Sequence, residues 1–136
     1  MSLTGAFVTR YNDDVDDDIT ALRTLVGETK AWADIAIDTK ATPYLVVKHI
    51  TTALESQTKG SSGKRIMDAT IQIDVWDSSG DVDSILDLIE TAYLEHPITI
   101  ANRNHLSTQL NNRLVEQEKI NLWHGIIEFR VLYEKP

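Results

Sequence analysis

The sequence contains no cysteine among its 136 residues. This absence excludes thiolate nucleophiles, disulfide bonds, iron–sulfur clusters and zinc sites with cysteine ligands. Long hydrophobic runs are also missing, since no apolar stretch reaches the roughly 20 residues that a membrane-spanning helix needs. We therefore expect a protein that folds without disulfides or metals and makes no membrane contact.

Positively charged residues are scarce in this sequence. Lys and Arg number 13 against 21 Asp and Glu, which gives a formal net charge of -8 at pH 7. Proteins that bind duplex DNA draw much of their affinity from basic side chains that neutralise phosphates. The charge balance therefore argues against a general DNA-binding function.

Motifs for nucleophilic catalysis, phosphate binding and metal binding are missing as well. The sequence has no G-x-S-x-G or S-x-x-K, no P-loop or G-x-G-x-x-G, and no H-E-x-x-H. Alternate residues from Asn12 to Asp18 resemble the start of an EF-hand loop, but Asp17 and Arg23 stand where that loop needs glycine and glutamate. We predict no catalytic, cofactor-binding or metal-binding residues, and no cofactor. Metal-ligand spacing is also absent among the four histidines, which are His49, His96, His105 and His124.

Two amphipathic helices are predicted. Aspartates lead into apolar residues spaced by three, three and one from Ile19 to Val26, which favours a capped helix over residues 14–26 that ends at Gly27. A second apolar stripe predicts a helix from about Asp81 to His96, with the aspartates at its start as caps. Residues 1–12 show little periodicity and are predicted to form a flexible arm.

The remaining segments alternate apolar and polar residues or are rich in β-branched residues, as strands are. Strands are predicted over about 34–38, 43–54, 66–77 and 122–133. Residues 104–117 fit a helix or a strand, and Asn111-Asn112 favours the strand. Residues 57–64 are polar and glycine-rich, which predicts a mobile loop. The expected fold is a single α+β domain over residues 1–136, with an antiparallel or mixed sheet of four to five strands and two helices packed on one face.

The three tryptophans are the strongest signal of protein contacts, because large aromatic residues are enriched at interface hot spots. For Trp76 we favour a place in the core. For Trp32 and Trp123 the sequence leaves the core and a contact surface equally open.

The ordered set of segments resembles the tail-completion, or tail-terminator, proteins of long-tailed bacteriophages and prophages. The resemblance rests on a helix followed by "PYLVVKHI", then "ATIQIDVWDSSGDVDSILDLIETAY", and a final hairpin that closes on "IIEFRVLYE". It covers roughly residues 14–134.

The resemblance implies a non-enzymatic structural subunit of the virion tail, assembled in the bacterial cytoplasm. Such subunits form a homo-oligomeric ring, typically a hexamer, that ends tail-tube polymerisation and joins the tail to the head. The implied partners are further copies of the chain, the tail-tube protein and the head connector, while DNA passes through the lumen without specific binding. The candidate contact residues are Gln57, Lys59, Lys64, Arg65, Trp32 and Trp123. The alternative function is a small ligand-binding or regulatory α+β domain.

Overall fold

A computed structural model describes residues 2–34, 41–59 and 65–135. Three helices and five strands lie within these ranges, in the order α1 (Leu3–Asp13), α2 (Asp17–Val26), β1 (Ala31–Ala33), β2 (Tyr44–Lys59), β3 (Arg65–Asp77), α3 (Val82–Leu94), β4 (Asn104–Lys119) and β5 (Leu122–Lys135).

The five strands form one sheet in the order β1-β2-β3-β5-β4. Strand β1 pairs in parallel with β2, and the other neighbours are antiparallel. The predicted α+β class with a mixed sheet is therefore confirmed, whereas the helices number three instead of two. The segment that periodicity left open between helix and strand, residues 104–117, is strand β4.

The predicted flexible arm over residues 1–12 is wrong, because Leu3–Asp13 form helix α1. The Ser2 side chain accepts a hydrogen bond from the Gly5 amide at 3.0 Å and so caps its first turn. Leu3, Phe7 and Tyr11 face the core at helical spacing, but threonines and a glycine between them dilute the hydrophobic pattern.

The other two helices lie where they were predicted. Asp16 caps α2 by accepting a hydrogen bond from the Ile19 amide, and Gly27 with φ 119° ends it. Asp81 occupies the N-cap position of α3, yet its side chain makes no capping hydrogen bond, so the predicted capping role of Asp81 is wrong.

Two predicted segments fall partly outside the described residues. The strand expected over 34–38 is preceded by β1 at Ala31–Ala33, and residues 35–38 are not described. Of the loop predicted over 57–64, residues 57–59 belong to β2, and residues 60–64 lie outside the described ranges.

Helices α1 and α3 pack on one face of the sheet, which we call the covered face, and α2 packs against α3 and α1. Alternate residues of β3 and β5 point into this core, and Phe129 lies 6.2 Å from the Phe7 ring and 6.0 Å from the Tyr93 ring. The Phe7 and Tyr93 rings stack at 4.8 Å, and the Tyr93 hydroxyl donates to the Phe7 carbonyl at 2.7 Å. Gly125 allows α3 to approach β5, because a Cβ there would lie 2.7 Å from Val82 Cγ2. None of the described helices is long and apolar enough to cross a membrane.

Candidate interaction surface

The second face of the sheet is covered by no other described element, and we call it the open face. On β3 and β5 it carries the residues that alternate with the core residues, and most of them are half-buried. Because the side chains of successive strand residues point to opposite faces, the polar set of β3 lies here together. The open face holds Lys48, Asp68, Gln72, Asp74, Trp76, His124, Glu128 and Arg130.

Four half-buried rings cross the open face near the start of β2, and we call them the aromatic row. Trp32 lies edge-on to Tyr44, with ring centroids 6.0 Å apart and an interplanar angle of 79°. Tyr44 pairs across the strands with Trp76, which in turn pairs with His124. The Trp76 and His124 rings stack at 3.9 Å with an angle of 6°. The row therefore joins four strands into one continuous surface of aromatic side chains.

A buried carboxylate lies beside the aromatic row. The Asp74 side chain is 1% exposed, and its Oδ2 lies 2.6 Å from Lys48 Nζ. Oδ2 makes no regular hydrogen bond, so Lys48 compensates its charge through the ion pair. Oδ1 accepts a hydrogen bond from Gln72 Nε2 at 2.9 Å and lies 3.2 Å from His124 Nε2. These contacts offset the desolvation of the carboxylate and fix the His124 ring against Trp76.

The Asp74–His124 pair does not form a nucleophile-activating site. In a catalytic triad, one imidazole nitrogen contacts the carboxylate and the other faces the nucleophile. Here the second nitrogen, His124 Nδ1, lies 3.3 Å from Glu118 Oε1. Both ring nitrogens therefore face carboxylates, and the arrangement orients an aromatic ring instead of activating a hydroxyl.

The sheet has two outer edges on which the described residues place no further strand. One is the outer side of β4 along its 16 residues, and the other is β2 beyond Val47, where the three-residue β1 ends. Both edges carry exposed apolar side chains at or next to a β-bulge: Ile50 is 47% exposed, and Leu106 and Leu110 are each 43% exposed. Unpaired strand edges offer backbone donors and acceptors to another strand.

Salt bridges hold β4 against helix α3. Arg113 Nη1 lies 2.7 Å from Asp87 Oδ1, and Nη2 lies 3.4 Å from Asp83 Oδ1. Strand β4 is thus attached to α3 on the covered face, and the described residues pair no strand with its outer edge.

One group of potential metal ligands joins the start of α2 to the residue after α3. His96 Nε2 lies 2.8 Å from Asp18 Oδ2 and 3.3 Å from Asp16 Oδ1. Arg10, 4% exposed, already pairs with Asp16 at 2.8 Å and with Asp14 at 2.7 Å. The hydrogen bond from Arg10 holds the pKa of Asp16 well below its ordinary range. The guanidinium supplies the positive charge here, so the group is a set of ion pairs that ties three helices together.

The three tryptophans lie in different surroundings, and the position of Trp76 differs from the predicted one. Trp76, for which a core position was favoured, lies on the open face and outside the core cluster. Trp123 pairs with Asp77 on the covered face and packs against the margin of the core. Trp32 stands in the aromatic row. Neither Tyr44 nor His124 was singled out, because only the cross-strand register reveals that they lie beside Trp76.

Three of the charged and polar candidates, Gln57, Lys59 and Arg65, lie at the end of the sheet that is far from the aromatic row. Gln57 and Lys59 are in the last part of β2, and Lys59 pairs with Arg65 at the start of β3. Arg65 is exposed. Lys64 lies outside the described residues. The contact roles of these residues stay predictions.

Comparisons with known proteins add an independent line of information. The profile of a family described as tail completion protein gp17 matches residues 18–134. A solved chain from a structure described as the virion of a native gene transfer agent particle aligns with a TM-score of 0.73 and 14% identity. The alignment covers 98% of the present chain and 95% of that chain, which shows a shared fold. A search of curated proteins gives no significant match.

Proposed function

This chain belongs to the tail completion protein gp17 family, and from that premise we propose that it forms a ring at the head-proximal end of a phage tail. A structural role in the phage tail follows from the family itself. The ring, typically a hexamer, would end tail-tube polymerisation and provide the docking surface for the head. The family match over residues 18–134 is the observation that carries this proposal.

The architecture supports a ring in two respects. A closed ring needs a heterologous interface, in which one patch of a subunit meets a different patch of its neighbour. The sheet has two different outer sides, with β4 on one and the short β1 beside β2 on the other. Both belong to one rigidly packed sheet, so the angle between neighbouring subunits would be fixed.

The open face supports a second set of contacts. Aromatic residues are enriched in the cores of protein interfaces, and fixed polar groups around them give specificity. The aromatic row and the neighbouring Lys48–Asp74 pair have this composition. We propose that this surface contacts a partner protein of the tail, either the tube or the head connector. The net charge of -8 suits a lumen through which DNA passes without binding.

The proposed function has no catalytic component. Among the described residues, His124 and Asp74 form the one histidine–carboxylate pair whose acid is buried. The second ring nitrogen of His124 faces Glu118 and therefore does not face a nucleophile. The subunit would therefore act through assembly alone, in the virion tail, after folding in the host cytoplasm.

The alternative, a ligand-binding domain, finds less support. A surface pocket between α1 and the end of α2 holds about 170 Å³ and has mainly polar and charged lining residues, among them Asn12, Arg23 and Glu28. Pockets for drug-sized ligands usually enclose roughly 300–1,000 Å³ and are mainly apolar. This pocket does not fit that class of ligand.

The function is tested by removing the gene from the phage or prophage that encodes it. Electron microscopy of the resulting lysates should show tails of abnormal length and heads that lack tails. Supplying the wild-type chain, or a Val15→Ala variant as a matched exposed control, should restore joined particles; Val15 is 83% exposed. Normal tails that still join heads in the absence of the protein would overturn the proposal.

A further inference from the structure

We propose that the hairpin formed by β4 and β5 binds a divalent transition-metal ion between Glu116, Glu118 and His124. Each of the three residues offers one ligand atom, and these atoms lie within 4.8 Å of one another. The sequence alone predicts no metal-binding residue here, because the three side chains come together only through the pairing of the two strands. The site goes beyond the proposed function and does not depend on it.

Strand pairing places the three side chains together on the open face, near the end of the hairpin. Glu116 lies directly opposite His124 in the β4–β5 register, and Glu118 is the bulged residue between Gln117 and Lys119. His124 Nδ1 lies 3.3 Å from Glu118 Oε1. Two ligand atoms of a tetrahedral zinc ion, each about 2.1 Å from the metal, lie roughly 3.4 Å apart. The observed separation therefore fits an ion bound between the two side chains.

A buried carboxylate fixes the imidazole in the orientation that this site requires. The Asp74 side chain is 1% exposed, and its Oδ1 lies 3.2 Å from His124 Nε2. Histidines that bind a metal through one ring nitrogen commonly donate the proton of the other nitrogen to a carboxylate, which sets the tautomer and the ring position. With that proton held on Nε2 by Asp74, the lone pair of Nδ1 points toward Glu118. Trp76 stacks on the same ring at 3.9 Å and restrains it further.

The two glutamates lack the compensating cation that the other histidine–carboxylate group has. Beside His96, the Arg10 guanidinium pairs with Asp16 at 2.8 Å. In the part of the chain that the structure describes, no lysine or arginine forms an ion pair with Glu116 or Glu118. An unprotonated ring nitrogen and a carboxylate oxygen both present lone pairs, so a positive charge is needed between them. A proton or a metal ion supplies that charge, and the second glutamate within reach favours the metal.

The donor set selects the class of ion. An imidazole nitrogen together with carboxylate oxygens suits Zn²⁺ and Ni²⁺, whereas Ca²⁺ takes about six to eight oxygen ligands. Three protein ligands leave one position of a tetrahedral ion open, for water or for a side chain of a protein docked on the open face. A bound ion would tie the end of β4 to β5 and hold His124 in the aromatic row.

Metal titration of the full chain without a histidine tag tests the site. Zn²⁺ and Ni²⁺ are each titrated by calorimetry at neutral pH, and the melting temperature is measured with and without Zn²⁺. Glu116→Gln and Glu118→Gln remove ligands at exposed positions, so the fold should stay intact. His124→Gln removes the imidazole. His96→Gln is the matched control, because His96 belongs to the group that Arg10 already neutralises.

The expected result is one ion bound per wild-type chain and a melting temperature that Zn²⁺ raises, since a ligand of the folded state stabilises that state. Glu118→Gln and His124→Gln should each weaken binding at least about tenfold, and Glu116→Gln should also weaken it, while His96→Gln should bind as wild type does. Folded wild-type protein that binds neither ion would overturn the proposal. Binding that both glutamate variants leave unchanged, or that only His96→Gln abolishes, would overturn it as well.

The ring nitrogen that carries the ion is a second readout. In ¹⁵N-labelled protein, Zn²⁺ should shift the Nδ1 resonance of His124 while Nε2 keeps its proton. Asp74→Asn should lower the affinity about tenfold and reduce the share of the Nε2-protonated tautomer in the metal-free protein, a change that loss of stability alone does not produce. Coordination through Nε2, or an imidazole that keeps protons on both nitrogens at saturating Zn²⁺, would contradict the proposal.

Discussion

The two faces of one sheet are built in contrasting ways. On the covered face, Ile71, Ile73, Ile127 and Phe129 are 0% exposed and pack against helices. On the open face, the intervening positions carry charged pairs such as Arg130–Asp68, whose nitrogen and oxygen lie 2.7 Å apart, together with half-buried aromatic rings. The covered face holds the domain together by apolar burial, whereas the open face holds its side chains in place by polar contacts and stacking.

The open face carries buried polar side chains that the stability of the sheet does not require. The Asp74 carboxylate is 1% exposed on the open face, and burying a charge costs free energy that its partners only partly offset. Apolar residues in place of the whole Asp74–Lys48 pair would stabilise an isolated sheet at least as well. Asp74 instead fixes Lys48 and His124, which leaves the open face with a defined pattern of charge and aromatic surface.

The largest stability loss is expected from the covered face. Phe129→Ala removes a ring packed against both Phe7 and Tyr93, and it should lower the free energy of unfolding by about 3–5 kcal/mol. The matched variant Arg130→Ala, one residue along the same strand and 40% exposed on the open face, should cost less than about 1 kcal/mol. Denaturant titration measures both, and equal losses would contradict the division into two faces.

Asp74→Ala should give the largest loss on the open face, about 1–3 kcal/mol, because Lys48 and Gln72 lose their acceptor and His124 its positioning contact. Asp68→Ala is the control, since Asp68 is 23% exposed and pairs with Arg130 in the same sheet face. Thermal unfolding compares them. A loss for Asp68→Ala equal to that for Asp74→Ala would show that burial of the carboxylate has no special effect.

Much of the fold follows from periodicity in the sequence. The alternation from Ile66 to Val75 predicts strand β3 with one buried face, and the apolar stripe from Val82 to Tyr93 predicts α3. Helix α1 is not predicted from the sequence, because its buried face includes the charged residue Arg10. Arg10 gains its partners Asp14 and Asp16 only after the chain folds. No local pattern in residues 1–12 indicates that pairing.

The open face was predictable only in part. Trp76 falls on the polar alternation of β3, with Gln72 and Asp74, so its position did indicate the open face, although its size and apolar character favoured the core. The aromatic row depends on the pairing of Tyr44 with Trp76 and of Trp76 with His124. Such register is a property of the assembled sheet, because residues far apart in sequence become neighbours only through strand pairing.

A smaller, pH-dependent effect is expected where the helices meet. Arg10 lowers the pKa of Asp16 below its ordinary value of 3.8. The stabilisation is therefore complete above that value and is lost as pH falls through the folded-state pKa. Asp16→Asn keeps a capping oxygen but removes the charged partner of Arg10, which should cost about 1–2 kcal/mol at neutral pH. Its stability should decline less than that of wild type below about pH 4.

Chemical denaturation at several pH values tests this expectation. Asp17→Asn is a suitable control, because Asp17 lies in the same first turn of α2 and the structure gives it no side-chain ion pair with Arg10. Parallel stability curves for wild type and Asp16→Asn down to about pH 2 would show that the Arg10–Asp16 pair contributes nothing to acid stability.

Among these substitutions, Trp76→Ala is expected to change stability least and to impair tail assembly most. Trp76→Ala removes one stacked partner of His124 from a half-buried surface, which should cost about 0.5–1.5 kcal/mol. Trp123→Ala, at the margin of the core on the covered face, should cost more in unfolding yet leave tail assembly intact where the protein stays folded. If the open face is a contact surface, Trp76→Ala should join tails poorly at a temperature where Trp123→Ala still functions. The reverse order would assign Trp76 to stability and Trp123 to binding, and would thereby exchange the roles of the two faces.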